Sequence, residues 1–332
     1  MTRDADADAI QFDPDNFWAD QPALPKQAES IDWETEEVRE ARVKDRFGRE
    51  IKVLVLVKTM PQLSAQYNDT VCVAGLALDP LRWVRLYPVP FRYLAVENQF
   101  TKYALIKVKV RLSDGDPRFE SLKIDATSIR VEDELDSRDG WKLRARYVEP
   151  VGEVSLCQLR RNIDDDDNGP SLGLVRPQCG RDRKSGSVKL QLETTPPETD
   201  KQAMKRRRIL IRQELDLGGA FVDQGLIKLA EPPRLSGWFC FTCEGEPECT
   251  GHRLGFIDWE FAALQYNKKS LDIEGLKNLL VAKFETNPTA QGKDLRFFVG
   301  NLHDKVKRNA FQILGLYYPS TRAVLAERNC LF

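Results

Sequence analysis

Cys240, Cys243, Cys249 and His252 stand in the spacing C-x2-C-x5-C-x2-H within residues 238–260, WFCFTCEGEPECTGHRLGFIDWE. Two short pairs joined by a polar connector are what a tetrahedral zinc ion requires, because each pair bends two ligands toward one point and the connector only closes a loop. Three thiolates and one imidazole fill four positions and leave none for water, so the implied zinc is structural rather than catalytic. The plainer reading is three buried thiols beside an exposed histidine. The connector Glu244, Gly245, Glu246, Pro247 and Glu248 counts against it, since a solvated turn is a poor place to cluster core cysteines. Asp258 and Glu260 just beyond are either ordinary sheet residues or acceptors for the free ring N–H of His252, which would fix its tautomer.

The segment resembles the SWIM-type zinc finger, a small C-x-C…C-x-H module, here with two residues rather than one between Cys240 and Cys243. That resemblance implies a unit that binds DNA or protein. Residues 71–78, 83–92 and 297–318 resemble an uncharacterised family of bacterial proteins, which implies a bacterial source and no particular activity.

A second constellation is cationic and aromatic. Trp83, Arg85 and Tyr87 alternate onto one side of an extended segment, with Arg92 just beyond. On an exposed sheet they would offer stacking planes for bases and charges for phosphates; as core residues they would do neither. Lys205, Arg206 and Arg208 belong to a basic run from Lys201 to Arg212, and Lys305, Lys307 and Arg308 form a third basic segment. Each alone reads equally well as a solvated face, whereas three together favour a polyanion surface.

Enzyme readings are thinner. Asp114, Asp116, Glu120 and Lys123 lack the alternating E-x-K that would bring a magnesium-binding acid and a lysine to one strand face, so a turn between strands explains them better. With His252 assigned to zinc, a hydrolase would depend on His303 alone, and neither G-x-x-x-x-G-K-[ST] nor G-x-G-x-x-G occurs.

The elements that must position these residues follow from periodicity. Residues 51–57, 71–78, 83–89 and 104–112 read as strands, with 122–131, 141–148, 171–175 and 188–192 completing a strand-rich region punctuated by Gly, Pro and Asp turns. That spacing predicts a β-barrel-like, OB- or PUA-type domain over residues 43–195. Pro196-Pro197 marks a boundary. Beyond it, residues 200–332 read as a smaller, zinc-stabilised α+β domain. Its parts are a helix over 200–217, a segment at 254–266 that is either strand or helix, a clearer helix from 270 or 272 to 284, and a strand pair at 295–299 and 311–318. The fold class is therefore α+β.

Charge is divided unevenly. The formal net charge of −1 conceals −9 over residues 1–40 and +8 over the rest. Residues 1–42 read as an acidic, mostly disordered arm, in which Ser30 could cap a short helix over 34–42, and which shields a polyanion surface, docks a protein partner, or merely keeps the chain soluble. No apolar run approaches a membrane span, and seven cysteines, mostly scattered, fit a reducing cytoplasm. The expectation is a non-catalytic nucleic-acid-binding protein with structural zinc and no membrane contact. An adaptor in a protein complex that holds its partner through the arm and zinc domain is the alternative, and a nucleic-acid-processing enzyme with an unlocated site the third.

Overall fold

The computed structural model describes residues 35–64, 68–113, 115–165, 169–179, 188–216, 229–301 and 309–330. It is an α+β protein with two sheets. The first helix, α1 (Glu36–Arg46), is capped by Thr35, whose Oγ1 accepts from Val38 N, and it buries Val38, Ala41 and Asp45. Residues 36–42 of the expected arm therefore lie within a docked helix. The buried Asp45 carboxylate is matched by Arg49 at 2.7 Å and Arg82 at 2.6 Å.

The first sheet comprises β1 (Arg49–Lys58), β2 (Gln62–Ser64), β3 (Asn68–Leu78), β4 (Leu81–Val89), β5 (Ala104–Leu112), β6 (Ser121–Ile124) and β7 (Arg130–Glu134). The order β1-β3-β4-β6-β5 returns to β1, closing five strands into a barrel-like ring, while β2 and β7 hang on β3 and β5. Every pairing around the ring is antiparallel except β4 with β6. Strand alternation accounts for the unbroken apolar run in β1: Val53 and Val55 fill the barrel interior with Val73, Leu86 and Val108, and Leu54 and Leu56 face outward into a second core. Gly75 is required where β3 crosses β1, since a Cβ there would lie 2.3 Å from the Leu54 carbonyl oxygen.

The second sheet runs β8-β12-β13-β11-β10-β9, with β8 (Leu172–Val175), β9 (Lys189–Thr194), β10 (Leu235–Phe241), β11 (His252–Phe256), β12 (Arg296–Asn301) and β13 (Phe311–Tyr317). Its two faces divide cleanly. Leu172, Leu174, Phe298, Leu314 and Tyr317 meet the outward residues of the barrel. Phe239, Phe256, Phe297 and Ile313 pack with the helices α3 (Leu156–Asp165), α5 (Trp259–Asn267) and α6 (Ile273–Val281) on the other side. The remaining helices are α2 (Arg138–Val148), α4 (Asp200–Asp216) and α7 (Thr321–Cys330).

Several local expectations change, and the single strand expected at 122–131 is two, β6 and β7, with a short 3-10 turn at Ala126–Ser128 between them. The segments at 171–175 and 188–192, grouped by sequence with the first domain, are β8 and β9 and pair with C-terminal strands. Residues 141–148 fall in α2 rather than in a strand, with Ala145, Tyr147 and Val148 buried and with Asp139, Gly140 and Trp141 at positive φ where it begins. The undecided run at 254–266 is both: β11 ends at Phe256, and Asp258 caps α5 by accepting from Glu260 N at 2.7 Å. Among the described residues no helix is long and apolar enough to cross a membrane.

Buried ion pairs tie the halves together. Lys102 meets Asp258 at 2.5 Å, with 9% and 1% of the two side chains exposed. Arg296 makes a two-pronged contact to Glu149 at 2.8 and 3.0 Å, and Tyr317 Oη donates to the same carboxylate.

Candidate metal centre and flanking surfaces

Cys157, Cys243, Cys249 and His252 bring one donor atom each to a common point, all four atoms lying within 4.8 Å of one another, and can hold a metal ion. His252 Nε2 lies 3.4 Å from the sulfurs of Cys157 and Cys243 and 3.2 Å from that of Cys249. Three of the expected ligands are thus gathered and Cys240 is not. The reason is strand alternation. Phe241 pairs with His252 across β10 and β11 and shares its face, with the rings 5.4 Å apart, so Cys240 one residue earlier takes the opposite face opposite Arg253.

The fourth donor arrives from α3. Ser155 Oγ accepts from Gln158 N at 2.9 Å and starts that helix, placing Cys157 in its first turn. The connector is docked rather than free: Glu246 accepts from Ser155 Oγ and from Arg161 at 2.9 Å, fastening the loop to α3. Gly245 and Gly251, at φ +77° and +101°, supply the left-handed turns on either side of Cys249. Inside the loop, Cys243 N–H donates to Cys249 Sγ at 3.3 Å.

Burial pushes the Cys157 thiol up, and likewise that of Cys243 despite backbone N–H groups of Cys157 and Leu156 directed at it. For Cys249 burial acts the same way, but N–H donors from Cys243 and Gly251 outweigh it and hold the thiol below its ordinary value. Burial, reinforced by Arg160, lowers His252 to about 4 and keeps a neutral imidazole available as a ligand. Arg160 Nη1 lies 3.4 Å from His252 Nδ1. Asp258 does not support the histidine: its carboxylate serves Lys102 and the start of α5.

The residues expected on a nucleic-acid surface separate. Arg85 is buried at 2% exposure and donates to Ser171 Oγ at 3.1 Å, because this side of β4 lies under the second sheet. Trp83 is half-buried with its edge toward Phe298, at 6.2 Å between centroids. Tyr87 is exposed, and Arg92 is half-buried against Asp69 at 2.6 Å. The four therefore do not form one open platform. On α4, Lys205 and Arg208 are exposed, whereas Arg206 is partly covered and bonded to Glu198 at 2.6 Å. Lys305, Lys307 and Arg308, with His303, lie outside the described residues. Asp116 is engaged by Arg118 and Ser121, and Glu120 holds Ser171 N, Ser171 Oγ and Leu172 N; Asp114 lies outside the described residues.

Spacing reveals nothing of Cys157, since it is distant in sequence and has no ligand beside it. Its signal is the serine-capped amphipathic turn Ser155 to Leu159, which turns one face to the core and leaves a cysteine at its edge.

Residues 49–150 match the model of a domain of unknown function, DUF8758, and residues 152–332 match that of a second domain of unknown function, DUF8757. The two matches meet where the chain passes from the barrel to α3 and the second sheet. No curated protein matches the chain. The second match covers more than half of the sequence, and the chain belongs to the family of that domain, DUF8757.

Proposed function

We propose that the chain is a non-catalytic nucleic-acid-binding protein whose second half is held together by a structural zinc ion. Three sulfurs and one imidazole suit zinc, and in an ideal tetrahedral site its bond lengths put nitrogen about 3.6 Å from each sulfur. The distances of 3.2–3.4 Å need only a slight expansion to admit the ion. Four protein donors leave no place for water. Zinc with three thiolates carries one net negative charge, which Arg160 beside His252 offsets. The few, mostly scattered cysteines of the sequence suggest a reducing, cytoplasmic setting.

The observation that carries nucleic-acid binding is the outer face of α4. Lys201, Lys205, Arg207 and Arg208 are exposed, and none has an acidic partner among the described residues. The barrel adds support: with its five ring strands counted in chain order, the ring reads 1-2-3-5-4 and its one parallel pair is 3 with 5. We read this ring as an OB-type barrel, as the strand spacing leads one to expect, and that reading supports a surface for oligonucleotides. Titrating a labelled single strand at 50 to 200 mM salt tests the reading. Affinity should fall steeply, and Lys205→Glu with Arg208→Glu should reduce both affinity and salt slope. Salt-insensitive binding, or none at 50 mM, would remove the proposal.

A second reading has its own support. Met204, Leu210 and Ile211 on the same helix are 55%, 38% and 46% exposed, an apolar complement suited to a protein partner of an adaptor. The acidic residues 1–34, the other expected contact, lie outside the described residues.

A further inference from the structure

A cavity of about 320 Å³ opens beside α4, between the barrel and α5. Its floor is one stripe of α5: Trp259, Ala262, Ala263 and Tyr266 fall at i, i+3, i+4 and i+7, and all four line it. Two alanines between two aromatics leave a recess flanked by flat rings. Trp259 is braced from the barrel side by Phe91, with centroids 5.5 Å apart, and by Lys58, whose Nζ lies 5.5 Å from the indole. Cations mark the rim. Arg92 is held by Asp69, a carboxylate with 2% exposure that also accepts from Ala230 N at 2.8 Å. Lys269 is 67% exposed and lies 3.7 Å from an equally open Glu231, a contact too exposed to immobilise it. The recess adjoins the basic helix directly, for Arg206 Nη2 donates to the carbonyl of Ala230, part of the cavity wall, at 3.2 Å.

We propose that this recess receives one unpaired base of a single-stranded nucleic acid whose backbone runs along α4. The inference rests on the nucleic-acid reading above and names the form of strand that it selects. An apolar recess between two aromatic side chains, with Arg92, Lys269 and the exposed Glu231 at its mouth, suits a base, which stacks through its faces while its phosphates stay at the surface beside Lys269 and pass on toward α4. The volume is at the small end of ordinary ligand sites, enough for a ring system and too little for an extended peptide. A paired base cannot enter, so duplex reaches only the basic face.

The experiment compares three labelled probes on the full chain by fluorescence anisotropy: a 15-nucleotide oligothymidylate, the same length of abasic backbone, and a 15-base-pair duplex. Intact protein should bind oligothymidylate at least about 10-fold more tightly than the abasic strand, the range expected for stacking one base. Ala263→Leu, which fills the recess at a half-buried position, and Tyr266→Ala, which removes a wall, should each erase that preference by lowering affinity for oligothymidylate. Circular dichroism of each variant checks that the fold is retained. Equal affinity for oligothymidylate and abasic strand, with Lys205→Glu and Arg208→Glu abolishing both, overturns the base site and leaves the basic-face reading standing. No binding of any probe removes both. Capture of an acidic, aromatic peptide that Ala263→Leu prevents, in place of oligothymidylate, would assign the recess to a protein partner and refute the proposal.

Discussion

Replacing Cys157 by alanine should strip the metal from the protein, whereas replacing Cys240 by alanine should leave it bound. Both changes delete a thiol from a half-buried position, so they cost similar packing and differ in whether a donor is lost. At free metal a thousand times the dissociation constant, binding to the native state adds about 4 kcal/mol to stability. For a unit the size of residues 152–332, that corresponds to about 8–16 °C in melting temperature. The assay pairs metal content by plasma mass spectrometry with thermal melts before and after chelation. Intact protein and Cys240→Ala should each carry one equivalent and lose that increment on chelation; Cys157→Ala should carry none and melt where the chelated protein melts. One equivalent retained by Cys157→Ala, or metal lost from Cys240→Ala, would refute the ligand set. A Cys157→Ala protein melting well below the chelated parent would mean that the thiol acts through packing instead.

Three further outcomes follow from the same contacts. Glu149→Gln should cost about 3–5 kcal/mol in urea unfolding, because it leaves Arg296, 1% exposed, without its two-pronged partner; a loss below about 1 kcal/mol would mean Asp294 and Glu153 suffice. Gly75→Ala should destabilise by about 2 kcal/mol or more, since its Cβ meets backbone rather than a yielding side chain; a neutral variant would show that β1 and β3 can part there. Burial lowers Lys58 from 10.5 to about 8, so the folded state binds its proton less well than the unfolded chain. The resulting penalty is full below pH 8 and relieved between about 8 and 10.5, and stability relative to Lys58→Met should rise by up to about 3 kcal/mol over that interval. A difference that stays flat with pH would show that Lys58 is not desolvated as its aromatic surroundings imply.

The sequence exposes whatever is written locally. Alternation in ALIKVKVRL located β5, and Leu276 and Leu280 located α6, because one buried face imposes its period on neighbouring residues. The metal loop was legible for the same reason, down to three of its four donors. What failed depends on residues distant in the chain. Cys157 reaches the site through a helix packed against the second sheet, and Arg85 is buried because β8 and β12 cover it. Nothing within a window around Trp83 distinguishes a face open to solvent from one that another sheet will cover. Cys240 misled because C-x2-C looks like a pair of ligands even when its first member is still within a regular strand.

The donor set also constrains the order in which the molecule can mature. Cys157 leaves the ribosome on the order of 5–20 seconds before His252 at ordinary elongation rates, and over that interval a lone sulfur cannot retain an ion. The strand β8 waits longer still, since its partner β12 begins at Arg296. By contrast the ring of five strands is complete once Ile124 has emerged. Synthesis should therefore deliver a finished barrel first, with the outward surface of β1, β3 and β5 bare until the C-terminal third arrives, and metal capture as one of the last events.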